Sequence, residues 1–108
     1  VGDKAQPPYD VFVKALELSR FDNLTMKMPG FGEICPVPMP FDPIPPLPTM
    51  ALEAFGADRV MWGSDWPPVS SREGYDHSLS FPLNYLSSLS EEERAWIFGE
   101  TAIEVWRF

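Results

Sequence analysis

The sequence predicts an α/β fold with parallel strands, and three observations carry that expectation. Strand-like runs at 23–28 and 59–62 each follow a segment with helical apolar spacing, and alternating helices and strands are the pattern of a parallel sheet. The second run, Arg59-Val60-Met61-Trp62, is short, apolar and closed by Gly63, as suits a buried parallel strand. The 13 prolines of the 108 residues are concentrated in one stretch, with seven between Pro36 and Pro48. That stretch can be neither helix nor central strand, because proline fixes φ and lacks an N–H.

The elements follow in order. Residues 1–8 are polar, end in Pro7-Pro8 and read as a loop. A helix is expected over about 9–20, with Val11, Ala15 and Leu18 repeating at i, i+4, i+7 and Phe12 and Leu16 beside them. In 23–28, Leu24, Met26 and Met28 alternate with Thr25 and Lys27, and Pro29-Gly30 stops the run, which predicts a strand. Residues 29–48 form the proline-rich loop, long enough to be a lid or a site loop. A short helix is expected over about 49–55, with Gly56 in the C′ position. After the strand at 59–62 a polar loop is predicted to run to Ser80. A helix over 81–89 then starts with Pro82 in its first turn and presents Leu79, Leu83 and Leu86. Ser90-Glu91-Glu92-Glu93 is a capping box for the next helix, with three acids at its positive end. Gly99 is expected to interrupt it before a last short helix at 101–106.

Composition excludes several classes. Eight Lys+Arg against 16 Asp+Glu give a net charge of −8. No basic patch is left to release counterions from a nucleic acid. No apolar run approaches the roughly 18–20 residues needed to span a membrane. Four Trp and eight Phe argue for a packed core, since disordered chains lack aromatics. The single Cys35 cannot form an internal disulfide, which suits a reducing, cytoplasmic setting. The first residue is Val1, so the chain is expected to be processed or to belong to a longer protein. One domain at most fits in this length.

Chemistry is concentrated just after the second strand. In parallel α/β folds the C-terminal strand ends face the ligand. Asp65 lies there, after Trp62-Gly63-Ser64, and a carboxylate in that place can serve as metal ligand or general base. The alternative is an Asp that caps a turn or the following helix. Lys27, on the minor face of an apolar strand, can bind a substrate carboxylate or snorkel to solvent. Arg72 and His77 follow in the same loop and can contact an anion, Arg72 through a bidentate fork, or can be plain solvated loop residues. Trp66 can wall the pocket or pack beneath the loop. Cys35 has no base beside it and reads as a bystander. A different class of function rests on the PxxP patterns Pro40–Pro43, Pro43–Pro46 and Pro45–Pro48, which match ligands of aromatic-grooved modules. No Lys or Arg flanks them between Glu33 and Glu53.

RVMWGSDWP at Arg59–Pro67 resembles the eighth-strand motif of the amidohydrolase-related family, which comprises metal-dependent hydrolases and decarboxylases on a (β/α)8 barrel. FGADR at Phe55–Arg59 resembles the lead-in to that strand. NLTMKMPGF at Asn23–Phe31 resembles the seventh strand with its turn, and Glu93–Phe108 is similar to the last helices. The resemblance implies that the chain is the C-terminal part of a (β/α)8 barrel, strands seven and eight with their flanking helices, since a whole barrel takes roughly 250 residues. It also implies that Asp65 contacts a metal-bound water, takes its proton and passes it to the leaving group. Zinc is the first candidate for the metal, although metal-independent lactonases also occur in the family.

The departures are as informative. The family's His-x-His after strand one and its later metal-binding histidines have no counterpart, because His77 is the only histidine and matches none of them. Pro29 and Thr101 stand where Ser and Asn are common. The chain alone is therefore expected to be inert, with open strand edges, and to need the missing N-terminal part of the barrel as its partner. The whole is expected to be a hydrolase of a small carboxylated lactone, ester or amide. Non-oxidative decarboxylation on the same scaffold is the enzymatic alternative, and homo-oligomerisation is left open.

Overall fold

The computed structural model describes residues 7–35 and 44–107. Among them, helix α1 (Asp10–Leu16) runs into a 3-10 turn at Glu17–Arg20 and leads to strand β1 (Met26–Met28). A 3-10 turn at Phe31–Glu33 follows. Helix α2 (Leu47–Phe55) then leads through Ala57–Arg59 to strand β2 (Val60–Trp62). A 3-10 turn at Pro68–Ser71 precedes α3 (Tyr75–Tyr85), and α4 (Glu91–Ala95), a π-helical turn at Trp96–Glu100 and α5 (Thr101–Trp106) close the chain. The two strands are parallel, with Met26, Lys27 and Met28 opposite Val60, Met61 and Trp62. A bond from Gly63 N–H to the Met28 carbonyl at 3.0 Å extends the ladder by one step.

Alternation along the strands separates two faces. Met26, Met28, Val60 and Trp62 join the core with Phe31, Phe55, Leu86 and Ile97. Lys27 lies on the other face and is exposed. Helix α2 packs on both strands, and the Trp96–Glu100 turn and α5 pack on β2.

Two long-range polar contacts fix the N-terminal ends of the strands. Arg59 donates from Nε to the Phe55 carbonyl at 3.1 Å, from Nη1 to Phe21 at 3.0 Å and from Nη2 to Ser19 at 3.0 Å. One guanidinium thus satisfies carbonyls at the end of α2 and in the segment leading to β1, where helix ends leave acceptors unpaired. Thr101, fully buried, donates from Oγ1 to the Ala57 carbonyl at 3.0 Å and ties α5 to the lead-in of β2.

Several expectations need correction. Helix α1 turns Phe12 and Leu16 inward, whereas Val11 is 63% exposed and Leu18 48%. The expected Val11/Ala15/Leu18 stripe is therefore the outer face. The expected polar loop up to Ser80 is helical from Tyr75, because Gly74, at φ 84°, makes a left-handed entry into α3. Pro82 consequently lies inside α3, and the buried face is Ser78, Pro82 and Leu86, with Leu83 exposed. Gly99 does not break the C-terminal helix; the chain widens into the π-helical turn and continues.

An internal proline removes the N–H that would bond the carbonyl four residues earlier. Here that carbonyl belongs to Ser78, and the Trp62 indole Nε1–H supplies the missing donor at 2.8 Å. The strand thus repairs the helix. The capping box is formed as expected, with Ser90 Oγ accepting from Glu93 N–H and the Glu93 carboxylate accepting from Ser90 N–H. Of the PxxP patterns, Pro45–Pro48 runs into the first turn of α2 with Pro45, Leu47 and Pro48 buried, so it is not an extended ligand. Pro40–Pro43 lies outside the described residues, as does Pro43 of Pro43–Pro46.

Candidate functional site

The parallel ladder brings the segments after β1 and β2 together at the C-terminal edge of the sheet. Three residues beyond β2, Asp65 adopts a left-handed backbone at φ 61°, a conformation that Asp tolerates better than most residues. The Asp65 carbonyl accepts from Val69 N–H at 3.1 Å. Its carboxylate caps neither the Pro68–Ser71 turn nor α3. Asp65 Oδ2 instead accepts from Arg72 Nη2 at 2.8 Å.

Arg72 is the hub of the site. Its Nη1 reaches Glu33 Oε2 at 2.6 Å, and its Nε reaches Glu73 Oε1 at 3.3 Å. Glu33 comes from the turn after β1, so the guanidinium joins the two strand-end loops. Burial pulls the Arg72 proton affinity down, but the hydrogen bond to Asp65 and the charges of Glu73, Asp65 and Glu33 outweigh it and leave it above its ordinary value. The Glu73 side chain is fully buried. Its Oε2 accepts from Gly32 N–H. A Cβ on Gly32 would lie 2.8 Å from Glu73 Oε1, and one on Gly30 3.1 Å from Glu73 Oε2. Gly32 is therefore needed for the carboxylate to seat against the turn, and Gly30 leaves it a close fit.

The other candidates are placed as follows. Lys27 extends its stem across Gly63, where a Cβ would come within 3.0 Å of the lysine Cδ. No ion pair holds Lys27 among the described residues. Trp66 is 62% exposed and meets Tyr75 edge-on at 6.2 Å. His77 sits on α3 rather than in a loop; its Nδ1 lies 2.8 Å from the Glu73 carbonyl and its ring stacks on Phe81 at 4.7 Å. Cys35 lies half-buried near the same turn, and burial together with the Glu73 charge pushes its thiol up to about 11. The structure thus brings Asp65 and Arg72 into contact. It adds Glu33 and Glu73, which sequence reasoning missed; the Gly30-Phe31-Gly32 spacing announces a close approach without saying what approaches.

Among the described residues no group of three or more His, Cys, Asp or Glu is arranged to hold a metal ion. A catalytic zinc needs about three protein ligands, and the carboxylates of Asp65, Glu33 and Glu73 are already paired with Arg72. These residues by themselves do not fit a metal. No helix among the described residues is long and apolar enough to cross a membrane.

An α/β chain with a carboxylate at the mouth of its parallel strands belongs to a recognisable class, and comparison with known proteins identifies it. The chain belongs to the amidohydrolase family, whose family model matches residues 4–108. It is similar to an L-fucono-1,5-lactonase of Burkholderia multivorans, 43% identical over 53 residues, covering 48% of this chain and 18% of the relative. A 4-sulfomuconolactone hydrolase of Rhizobium radiobacter is 35% identical over 51 residues, covering 47% of this chain and 17% of the relative. An amidohydrolase of Burkholderia multivorans, solved with bound HEPES and also with bound zinc, superposes with a TM-score of 0.79 at 27% identity. That match covers 90% of this chain and 36% of the solved one. The chain thus spans little more than a third of the solved neighbours and less than a fifth of the curated relatives.

Proposed function

We propose that the chain forms strands seven and eight of a (β/α)8 barrel whose whole is a lactone hydrolase, and that Asp65 is its proton-transferring carboxylate. The observation that carries this reading is the placement of Asp65. It stands at the C-terminal end of a parallel strand, where barrel sites lie, and its carboxylate is free of any capping duty. The names of the two curated relatives, a lactonase and a lactone hydrolase, support the substrate class.

In this mechanism the Asp65 carboxylate takes a proton from the attacking water as it adds to the lactone carbonyl. The same proton then goes to the ring oxygen as the C–O bond breaks, giving the hydroxy acid. A positioned base of this kind contributes about 10²–10⁴-fold. Lys27, exposed beside Gly63, is the group suited to an anionic substituent on the lactone. In this reading the exposed Trp66 walls the substrate's place beside Asp65, and His77, held by its stacking on Phe81, lies at its edge. A zinc ion of the kind bound in the solved neighbour would need ligands beyond the described residues, supplied by the rest of the barrel. The unpaired Cys35 suits a cytoplasmic enzyme.

The test is Asp65→Asn in the whole protein, assayed by acid release from a sugar 1,5-lactone. Turnover should fall by at least about 10²-fold, the lower end of what such a base contributes, with the circular dichroism spectrum unchanged. Turnover within a few-fold of wild type removes Asp65 from the chemistry, and loss of carbon dioxide from a carboxylated lactone with its ring left closed assigns a decarboxylase.

A further inference from the structure

We propose that Arg72 is a positioning residue for Asp65, and that buried Glu73 anchors it to the turn after β1. This rests on the reading of Asp65 given above and deepens it.

The hydrogen-bonding edge of the guanidinium is already committed, at 2.8 Å to Asp65, 2.6 Å to Glu33 and 3.3 Å to Glu73. Three carboxylates around one cation leave the cluster with a net charge of −2. A substrate carboxylate that approached Arg72 would have to displace one of these partners against the charge of the others. The expected anion-binding role therefore passes from Arg72 to Lys27.

What Arg72 does instead follows from the chain of contacts. The Gly32 N–H holds one oxygen of Glu73, and the other oxygen holds Arg72 Nε. Arg72 in turn holds Asp65 Oδ2. Glu73 cannot swing away, because its side chain is fully buried and seated against Gly30 and Gly32. The carboxylate of Asp65, three residues beyond the strand, is thereby referenced to the loop of the neighbouring strand. A base that is not held sweeps through orientations that cannot reach the water, and a misplacement of about 1 Å costs about 10²-fold.

The test compares wild type, Arg72→Met and Arg72→Lys in the whole protein, on a neutral sugar 1,5-lactone and on a carboxylated lactone. Arg72→Met should lower kcat by about 10²-fold on both substrates, with KM within threefold. Arg72→Lys should recover part of the loss, because an ammonium restores one of the three contacts. A rise in KM confined to the carboxylated lactone, with kcat preserved, would assign Arg72 to substrate binding and overturn the proposal. A lowered melting temperature with kcat unchanged would reduce Arg72 to a structural cross-link and overturn it as well. If Arg72→Met does not fold, the kcat and KM of Arg72→Lys decide by the same criteria. If wild type hydrolyses neither lactone, the functional reading fails, and positioning is read from the 13C resonance of the Asp65 carboxyl. It should move in Arg72→Lys at constant pH, and an unmoved resonance overturns the proposal.

Discussion

Replacing Trp62 by phenylalanine isolates the contact between β2 and the proline-interrupted helix α3. In the native chain the indole N–H is the donor to the Ser78 carbonyl, at 2.8 Å, because Pro82 cannot supply one. Ser78 is fully buried in the native chain, and removing the indole N–H leaves its carbonyl without that donor. An unsatisfied buried carbonyl costs about 1–3 kcal/mol. The ring also lies against Phe98, with centroids 6.4 Å apart, a contact worth about 0.5–1.5 kcal/mol that phenylalanine keeps in part. Trp62→Phe should therefore destabilise the whole protein by about 2–3 kcal/mol, most of it from the orphaned carbonyl. Pro82→Ala provides the decisive background, since an alanine N–H at position 82 points at the same carbonyl. Urea unfolding followed by far-UV circular dichroism on the two single variants and the double variant gives the coupling. Trp62→Phe should cost at least about 1 kcal/mol less in the Pro82→Ala background, well above the few tenths by which independent sites deviate from additivity. Equal costs in both backgrounds would refute the idea that Trp62 stands in for the proline's missing donor.

Two further outcomes follow from single side chains. Arg59→Met strips donors from the carbonyls of Phe55, Phe21 and Ser19 and should cost about 2–4 kcal/mol, since bonds to a charged donor are worth about 1.5–3 kcal/mol each before solvent takes over the exposed ones. Hydrogen exchange should accelerate first over residues 17–24, and uniform acceleration would contradict the assignment. The Cys35 thiol, raised from an ordinary 9.0 to about 11, keeps its proton in the folded chain at pH values where the unfolded chain loses it. The stabilisation it contributes is present below about pH 9 and is lost as the pH rises towards about 11. Alkylation of the native protein should be slow at neutral pH with a midpoint near 11, and a midpoint at or below the ordinary value would refute the burial argument.

The parts of the fold legible in the sequence are those set by neighbours along the chain. Val60–Trp62, its closing glycine and the Ser90–Glu93 capping box are local patterns, and the structure contains them. The faces of α1 and α3 were not legible, because both helices offer more than one apolar stripe and tertiary packing chose between them. Pro82 misled for a specific reason: its usual place is the first turn, and it is accommodated deeper where Trp62, 16 residues before Ser78, supplies the donor to the Ser78 carbonyl. Glu73 and Glu33 were invisible because their partners lie 41 and 39 residues distant. Asp65 was legible as a position but not as an ion-paired group, since its partner shares a loop whose path the sequence does not define.

The segment Arg59–Pro67 shows why a motif can identify a fold more securely than it identifies a reaction. Arg59 faces the N-terminal end of the sheet and gathers carbonyls from two other segments. Val60 and Trp62 turn into the core, the latter completing α3. Gly63 gives passage to the Lys27 stem on the opposite face. Each of these restraints comes from packing, and each would persist in a barrel that had lost its activity. Asp65 differs in kind: its left-handed backbone and charged side chain contribute nothing to the core, and three further charged residues surround or hold it. Asp tolerates that backbone, and the ion pair to Arg72 holds its carboxylate in one place. The chemical reading therefore rests on that residue and its brace, and the rest of the motif explains how a three-residue strand comes to hold them at the mouth of the sheet.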